Sequence, residues 1–262
     1  MLKEKGKVIS ISSVKGGVGK TAMTINLAGI YYMMRKKVLI VDGDFYSGGI
    51  SAWLGVLNKK DVFHLVDAIS NNRFSKISDY VTSYNNGIDV LASPRDPRSG
   101  FKIESKYIPI ILDFAKREYD VILVDTNHIM NEVNLMILDH SYMSLFLITN
   151  DLVCLKNMKS MVSIFKDTNK KNYLVCLNKS IDIGKDYFSL FDIRNVIKNN
   201  VDYTISDSFY IKNIDKYILD GDVLTLNKKI VRFHSKDISH IKSIAEELIS
   251  DKYKDMEGDN NG

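Results

Sequence analysis

The chain has 262 residues, 45% of them hydrophobic and 26% charged, the balance of an ordinary soluble globular protein. Three prolines, 15 glycines and ample apolar material exclude a collagen-like, low-complexity or wholly disordered chain. Lys and Arg exceed Asp and Glu by 36 to 32, and a net charge of +4 is by itself a poor argument for nucleic-acid binding.

Residues 8–12, 37–41, 88–91, 121–124, 144–148 and 173–177 read as buried strands. Each is a short run rich in Val, Ile and Leu, mostly bounded by polar residues or Gly. Helices are predicted over 20–34, 62–70, 104–117, 156–166 and 238–250, with Pro109 in the first turn of the third. In the last of them Ile238, Ile241, Ile244, Ala245 and Leu248 recur at helical spacing beside Glu246, Glu247 and Asp251, the pattern of a packing helix rather than a basic membrane anchor. This alternation implies an α/β fold: a doubly wound, mostly parallel sheet with helices on both faces, in a single domain. The domain is expected over 1–251, followed over 252–262 by a polar tail read as disordered, most clearly from Glu257.

Cys154 and Cys176 cannot build a disulfide framework and no CxxC occurs, so a reducing, cytoplasmic compartment is expected. No apolar run approaches the ~20 residues needed to span a bilayer. Residues 1–7 start basic but lead into no apolar core with a small-residue cleavage site, so export is not expected.

The first strand runs into Ser13-Val14-Lys15-Gly16-Gly17-Val18-Gly19-Lys20-Thr21, and a helix begins at once, with Ala22 in its first turn. A strand, a glycine turn and a helix N-terminus form an anion cradle, because backbone N–H groups point inward and the helix dipole adds positive potential. Lys20 can reach β- and γ-phosphates, and the Thr21 hydroxyl can bind Mg²⁺. The pattern GxxxxGK[ST] is not met, since Val14 stands at its first glycine. Instead, Lys-Gly-Gly-x-Gly-Lys-Thr resembles the deviant Walker A motif of the ParA/MinD superfamily of P-loop ATPases. The resemblance implies ATP and Mg²⁺ as cofactors, with Gly16, Gly17, Val18, Gly19, Lys20, Thr21 and Ala22 around the phosphates. It implies that Lys15, the signature lysine, reaches the nucleotide of a partner subunit in an ATP-dependent homodimer, a charge supplied in trans as by an arginine finger. A lysine inside the loop also lies near its own phosphates, so the sequence leaves the crossing open.

Asp42 and Asp44 follow the second strand, where residues face the ligand crevice of such a sheet. A simple polar turn is the alternative. The pair resembles the D-x-D switch of the superfamily, which implies that Asp44 orients the attacking water and Asp42 helps to hold the Mg²⁺ shell. Asp125 closes the apolar run 121–124 and resembles the end of a Walker B strand, which implies a carboxylate on Mg²⁺ through water. Thr126-Asn127-His128 stands where relatives often carry prolines, and His128 reads as a loop residue rather than a base. Asn178 ends a further strand, where many relatives place an asparagine on the adenine edge; a strand-end turn residue is the alternative. The resemblance runs from Val8 to about Leu248.

Within the superfamily, two single cysteines do not suit cluster carriers or reductases, and Tyr253 alone is no C-terminal tyrosine cluster. Residues 45–57 and 87–97 resemble the CpaE/TadZ group, which implies polar localisation of a type IV-like pilus assembly and a protein partner that stimulates hydrolysis or recruits the ATPase to a pole. The competing class is a partition ATPase on nonspecific DNA, suggested by Lys228, Lys229, Arg232 and Lys236 near Lys212 and Lys216. Asp215, Asp220, Asp222 and Asp237 interleave with these, so a solvated mixed face is favoured. A nucleotide-sensing scaffold that never hydrolyses ATP is a third reading.

Overall fold

Runs of Val, Ile and Leu such as 8–12, broken by nothing larger than serine, offer no charged face to water, so their strands are covered on both sides. The computed structural model, which describes residues 5–180, 188–209 and 214–256, joins them in one eight-stranded sheet. In chain order the elements are β1 (Lys7–Ser13), α1 (Lys20–Met33), β2 (Val38–Asp42), α2 (Ile50–Trp53), α3 (Val62–Ser70), β3 (Thr82–Asn85), β4 (Ile88–Leu91), α4 (Pro97–Gly100), α5 (Tyr107–Glu118) and β5 (Val121–Asp125). They continue as α6 (Glu132–Asp139), β6 (Met143–Ile148), α7 (Leu152–Asp167), β7 (Tyr173–Ser180), α8 (Leu190–Ile197), β8 (Tyr203–Ser206), α9 (Ile214–Leu219), α10 (Lys228–Phe233) and α11 (Ser235–Leu248).

The strand order is β3-β4-β2-β5-β1-β6-β7-β8, parallel throughout except for the β3–β4 edge pair. β1 is central, with β2 to β5 on one side of it and β6 to β8 on the other. The carboxyl end of β1, between β5 and β6, is therefore the switch point at which an open α/β sheet holds its ligand. One core packs α1, α7, α8 and α11 on one face of the sheet, and a second packs α3, α5 and α6 on the other.

All six expected strands are present. β3 and β8 add to them and stand at the two edges of the sheet. Thr82-Ser83-Tyr84-Asn85 and Tyr203-Thr204-Ile205-Ser206 carry few apolar residues because an edge strand is only partly covered. The expected helix at 156–166 begins earlier, at Leu152, because Asp151 caps it through Cys154 N at 3.0 Å. The helices expected at 104–117 and 238–250 run over Tyr107–Glu118 and Ser235–Leu248, and Pro109 sits in the first turn of α5. The predicted apolar face of α11 is buried, and Tyr31 Oη donates to Ala245 O at 2.8 Å. Cys154 and Cys176 are both fully buried.

Two ties hold α1 at its middle. Asn26 accepts Thr225 N–H at 3.1 Å, and Thr225 Oγ1 donates to Asn26 O at 2.8 Å. The segment that delivers Thr225 is itself fixed where Tyr84 Oη donates to Gly221 O at 2.9 Å. At the other end of the sheet Lys7 Nζ donates to Ile249 O and pairs with Asp251, each at 2.6 Å. The 3-10 turn Asp251–Met256 follows, and Tyr253 Oη donates to Glu247 at 2.8 Å. Packing thus continues beyond the boundary expected at 251, because Tyr253 has a carboxylate partner and an apolar surface to cover. Residues 257–262, read from the sequence as disordered, lie outside the described residues.

Candidate functional site

The loop between β1 and α1 turns tightly because Gly17 and Gly19 adopt φ of +74° and +97°, a region costly for residues with a Cβ. Lys20, the first residue of α1, folds back so that its Nζ donates to Ser13 Oγ at 3.0 Å. Ser13 Oγ in turn donates to Lys15 O at 2.7 Å, which closes the loop on itself. Burial draws the Lys20 ammonium below its ordinary pKa, and the nearby Asp125 and Asp44 oppose that shift. Thr21 Oγ1 donates to Asp125 Oδ2 at 2.7 Å.

Asp42 and Asp125 end neighbouring strands and are partners in the β2–β5 register. Both are almost completely buried, at 1% and 3% exposure. Burial first, and for Asp42 then the adjacent Asp125, push the two carboxyls up, to about 7 for Asp42 and about 6 for Asp125. Asp42 Oδ2 accepts Ile50 N–H and Ser93 Oγ, each at 3.2 Å. Asp42 Oδ1 and Asp125 Oδ1 are buried oxygens without a hydrogen-bond partner. Two carboxylates, each with one unpartnered oxygen, and the Thr21 hydroxyl form a hard-oxygen donor set that fits Mg²⁺. Among the described residues no group of three or more His, Cys, Asp or Glu could hold a metal.

A carboxyl whose pKa is raised by folding keeps a proton that the unfolded chain has already released. The folded state then binds more protons, and stability falls as pH rises between about 4 and about 7. The nucleotide-free and metal-free protein is expected to melt at a higher temperature at pH 5 than at pH 7.5, and Asp42→Asn is expected to flatten that slope. Thermal unfolding of both proteins across this range is the check; parallel slopes would contradict the assignment.

Asp44 is half-buried, and its Oδ1 accepts Tyr46 N–H at 3.3 Å and Ser47 N–H at 3.1 Å, an Asx turn that shapes the segment after β2. Lys15 pairs with Asp151 of its own chain at 3.0 Å and is 43% exposed. Burial alone would raise the Asp151 carboxyl, yet bonds from Thr149, Cys154 N–H and Lys15 hold it below its ordinary value. Asn178, read from the sequence as a base contact, is completely buried, and its amide donates to Val18 O at 2.7 Å. It ties β7 to the glycine loop in this structure. The segment 181–187 just beyond it lies outside the described residues. His128 is exposed, and its ring lies against Gly16, about 3.6 Å from where a Cβ would stand.

The AAA_31 family model, an AAA domain, matches residues 6–183, well over half of the chain. The chain belongs to this family. Its relatives are of the ParA/MinD kind. This AAA domain is 42% identical to the chromosome-partitioning ATPase Soj of Thermus thermophilus over 66 residues, 25% of this chain and 26% of that protein. It is 26% identical to the septum site-determining protein MinD of Helicobacter pylori over 157 residues, 60% and 58% of the two chains. The structure of MinD from Pyrococcus horikoshii complexed with Mg-ADP shares its fold, with a TM-score of 0.73 at 22% identity over 97% of this chain and 99% of that one. The chain spans less than half the length of the first curated relatives it matches. Every predicted site residue, from Lys15 to Asn178, falls inside the matched AAA domain.

The site also contains residues that sequence reasoning missed. Asp151 carried a legible signal, an acidic residue just before a helix, but the exposed Leu152 and Val153 broke the apolar period and moved the predicted start. Thr126 donates to Ile11 O at 3.0 Å, and Asn134 donates to Asn127 Oδ1 at 2.7 Å, so amides and a hydroxyl hold the loop after Asp125. Ser93 lies in the segment 87–97 but carries no site signal of its own there. Its place at the end of β4 beside Asp42 emerges only from the sheet order.

Proposed function

We propose that this protein is a Mg·ATP-dependent dimerising switch ATPase. The observation that carries the reading is the convergence of Lys20, Thr21, Asp42 and Asp125 at the carboxyl ends of β1, β2 and β5, with two buried carboxylate oxygens left unpartnered. In this reading the backbone of Gly16 to Ala22 cradles the phosphates, and Lys20 neutralises charge on the transferring phosphoryl group. Thr21, Asp42 and Asp125 would hold Mg²⁺, which would neutralise charge on the phosphates. Asp44 orients the attacking water. Asn178 acts by holding Val18 and with it the loop, a positioning role in place of the base contact first assigned. The Mg-ADP held by the P. horikoshii relative supports this choice of ligand.

Lys15 is assigned to the partner's nucleotide. Its half-exposed position and the apolar residues that flank the loop, Ile129 on one side and Leu152 and Val153 on the other at 56–62% exposure, suit a face covered by a second copy. The cellular role proposed is polar positioning of a type IV-like pilus assembly with a stimulating protein partner; the segments that suggest it form the wall of the site, around α2 and the end of β4. Among the described residues no helix is long and apolar enough to cross a membrane.

Phosphate release from purified protein, with Mg·ATP and with EDTA, tests the central claim. Mg²⁺-dependent release supports it, and tight ATP binding without release would favour the nucleotide-sensing scaffold. One observation favours DNA as a second reading. Asp237 turns inward and accepts Ser206 N–H at 3.0 Å, so it does not neutralise the exposed Lys228, Lys229, Arg232 and Lys236 as the sequence suggested. Lys212 lies outside the described residues. A gel-shift on nonspecific DNA that needs ATP and weakens steeply with salt would move the assignment to partition.

A further inference from the structure

Asp42 is held unevenly. One oxygen accepts two hydrogen bonds, from Ser93 Oγ and from Ile50 N–H at the start of α2, and the other accepts none. The backbone of Gly48 lies directly on this contact, since a Cβ at Gly48 would overlap both Ser93 Oγ and Asp42 Oδ2. Gly48 belongs to the short segment that leaves β2 at Asp42, carries Asp44 in its Asx turn and enters α2 at Ile50. A hydroxyl just beyond a different strand, β4, thus joins a carboxylate of the site to the segment bearing Asp44.

We infer that Ser93 is a positioning residue for hydrolysis. By occupying Asp42 Oδ2 it fixes the carboxylate so that Oδ1 is the oxygen left for a ligand. By seating Gly48 it docks the Asp44 segment over the site. This inference rests on the ATPase reading above. Chemically, a neutral donor suits the task, because it orients the carboxylate without cancelling its charge as a lysine or arginine would. Ser93 touches neither phosphate nor water in this assignment and acts through Asp42 and Gly48.

The chain supplies its own probe, since its one tryptophan, Trp53, stands on α2 with its indole Nε1 buried. The test is Ser93→Ala, with Gly48→Ala as a second variant that lifts the segment while leaving the hydroxyl in place. Both are expected to lower kcat about tenfold and raise the Mg²⁺ concentration needed for half-maximal activity by a similar factor, as losses of supporting contacts around metal ligands do. KM for ATP should stay within about threefold, since the glycine loop is untouched. In the nucleotide-free protein both should shift Trp53 emission to the red as α2 loosens, with the melting temperature nearly unchanged. If Ser93→Ala fails to fold, Gly48→Ala decides on the same readouts. An active wild type whose variants keep its kcat, Mg²⁺ requirement and Trp53 emission overturns this inference alone. An equal loss of ATP affinity and kcat also overturns it, as a general structural defect. A wild type that releases no phosphate overturns the ATPase reading and this inference together, even if Trp53 emission shifts.

Discussion

Asp44→Ala is expected to bind Mg·ATP with near-normal affinity, lose hydrolysis by at least about a hundredfold and accumulate as an ATP-bound dimer. The expectation follows from a division of labour. In the proposed reading phosphate affinity is assigned to the glycine loop, Lys20 and Thr21, whose hydrogen bonds run to Ser13, Lys15 and Asp125 rather than to Asp44. Asp44 is half-buried on the segment after β2, where a carboxylate can accept from water without being shut away from it. The residue has a second job, because its Oδ1 also closes the Asx turn onto Tyr46 and Ser47. Asp44→Asn separates the two, since it keeps an acceptor oxygen for the turn and removes the charge. Loss of phosphate release in both variants assigns the charge to catalysis. Full activity in Asp44→Asn, or a monomeric Asp44→Ala in ATP by size-exclusion chromatography, would remove the role assigned to Asp44.

Lys15→Ala is expected to lose the ATP-dependent shift to a dimer before it loses nucleotide binding, and to hydrolyse at least about a hundredfold more slowly, in line with charges supplied in trans. In the structure Lys15 is engaged with Asp151, and a magnitude decides whether that matters. The pair is 43% and 34% exposed, and an ion pair so placed is worth about 0–1 kcal/mol. Giving it up costs little beside what a buried triphosphate would return. Asp151 keeps its bonds from Thr149 and Cys154 N–H after Lys15 leaves, so no buried charge is stranded. Size-exclusion chromatography in ATP is the check, and a parent-like dimer in Lys15→Ala would contradict the assignment.

The parts of this molecule that were legible in the sequence are those where a local pattern has one physical solution. The central strands announced themselves because burial on both faces leaves only apolar residues and small serines, such as Ser10 and Ser144, which bond to each other across β1 and β6. The glycine loop did so because two left-handed residues and a helix start must fall in a fixed order. Asp42 and Asp125 were found as strand ends, and the register then made them neighbours. What escaped was of a different kind. β3 and β8 are polar edges, and Asp151 sits before a helix whose first two side chains are exposed. Asn178 and Ser93 take their meaning from partners 160 and 51 positions away, and no local pattern announces such a pairing. The charge of Asp237 was counted correctly but given to the wrong side of its helix.

The two ties on α1 give that helix a particular mechanical character. Its N-terminus carries Lys20 and Thr21, while Asn26, about two turns along, is fastened to a segment anchored on the far edge of the sheet. A rod clamped at its centre makes a poor lever. On the ATPase reading proposed above, a triphosphate that arrived or departed would therefore find this helix the stationary part of the site, and any rearrangement would fall to the chain after Asp42 and the chain after Asp125.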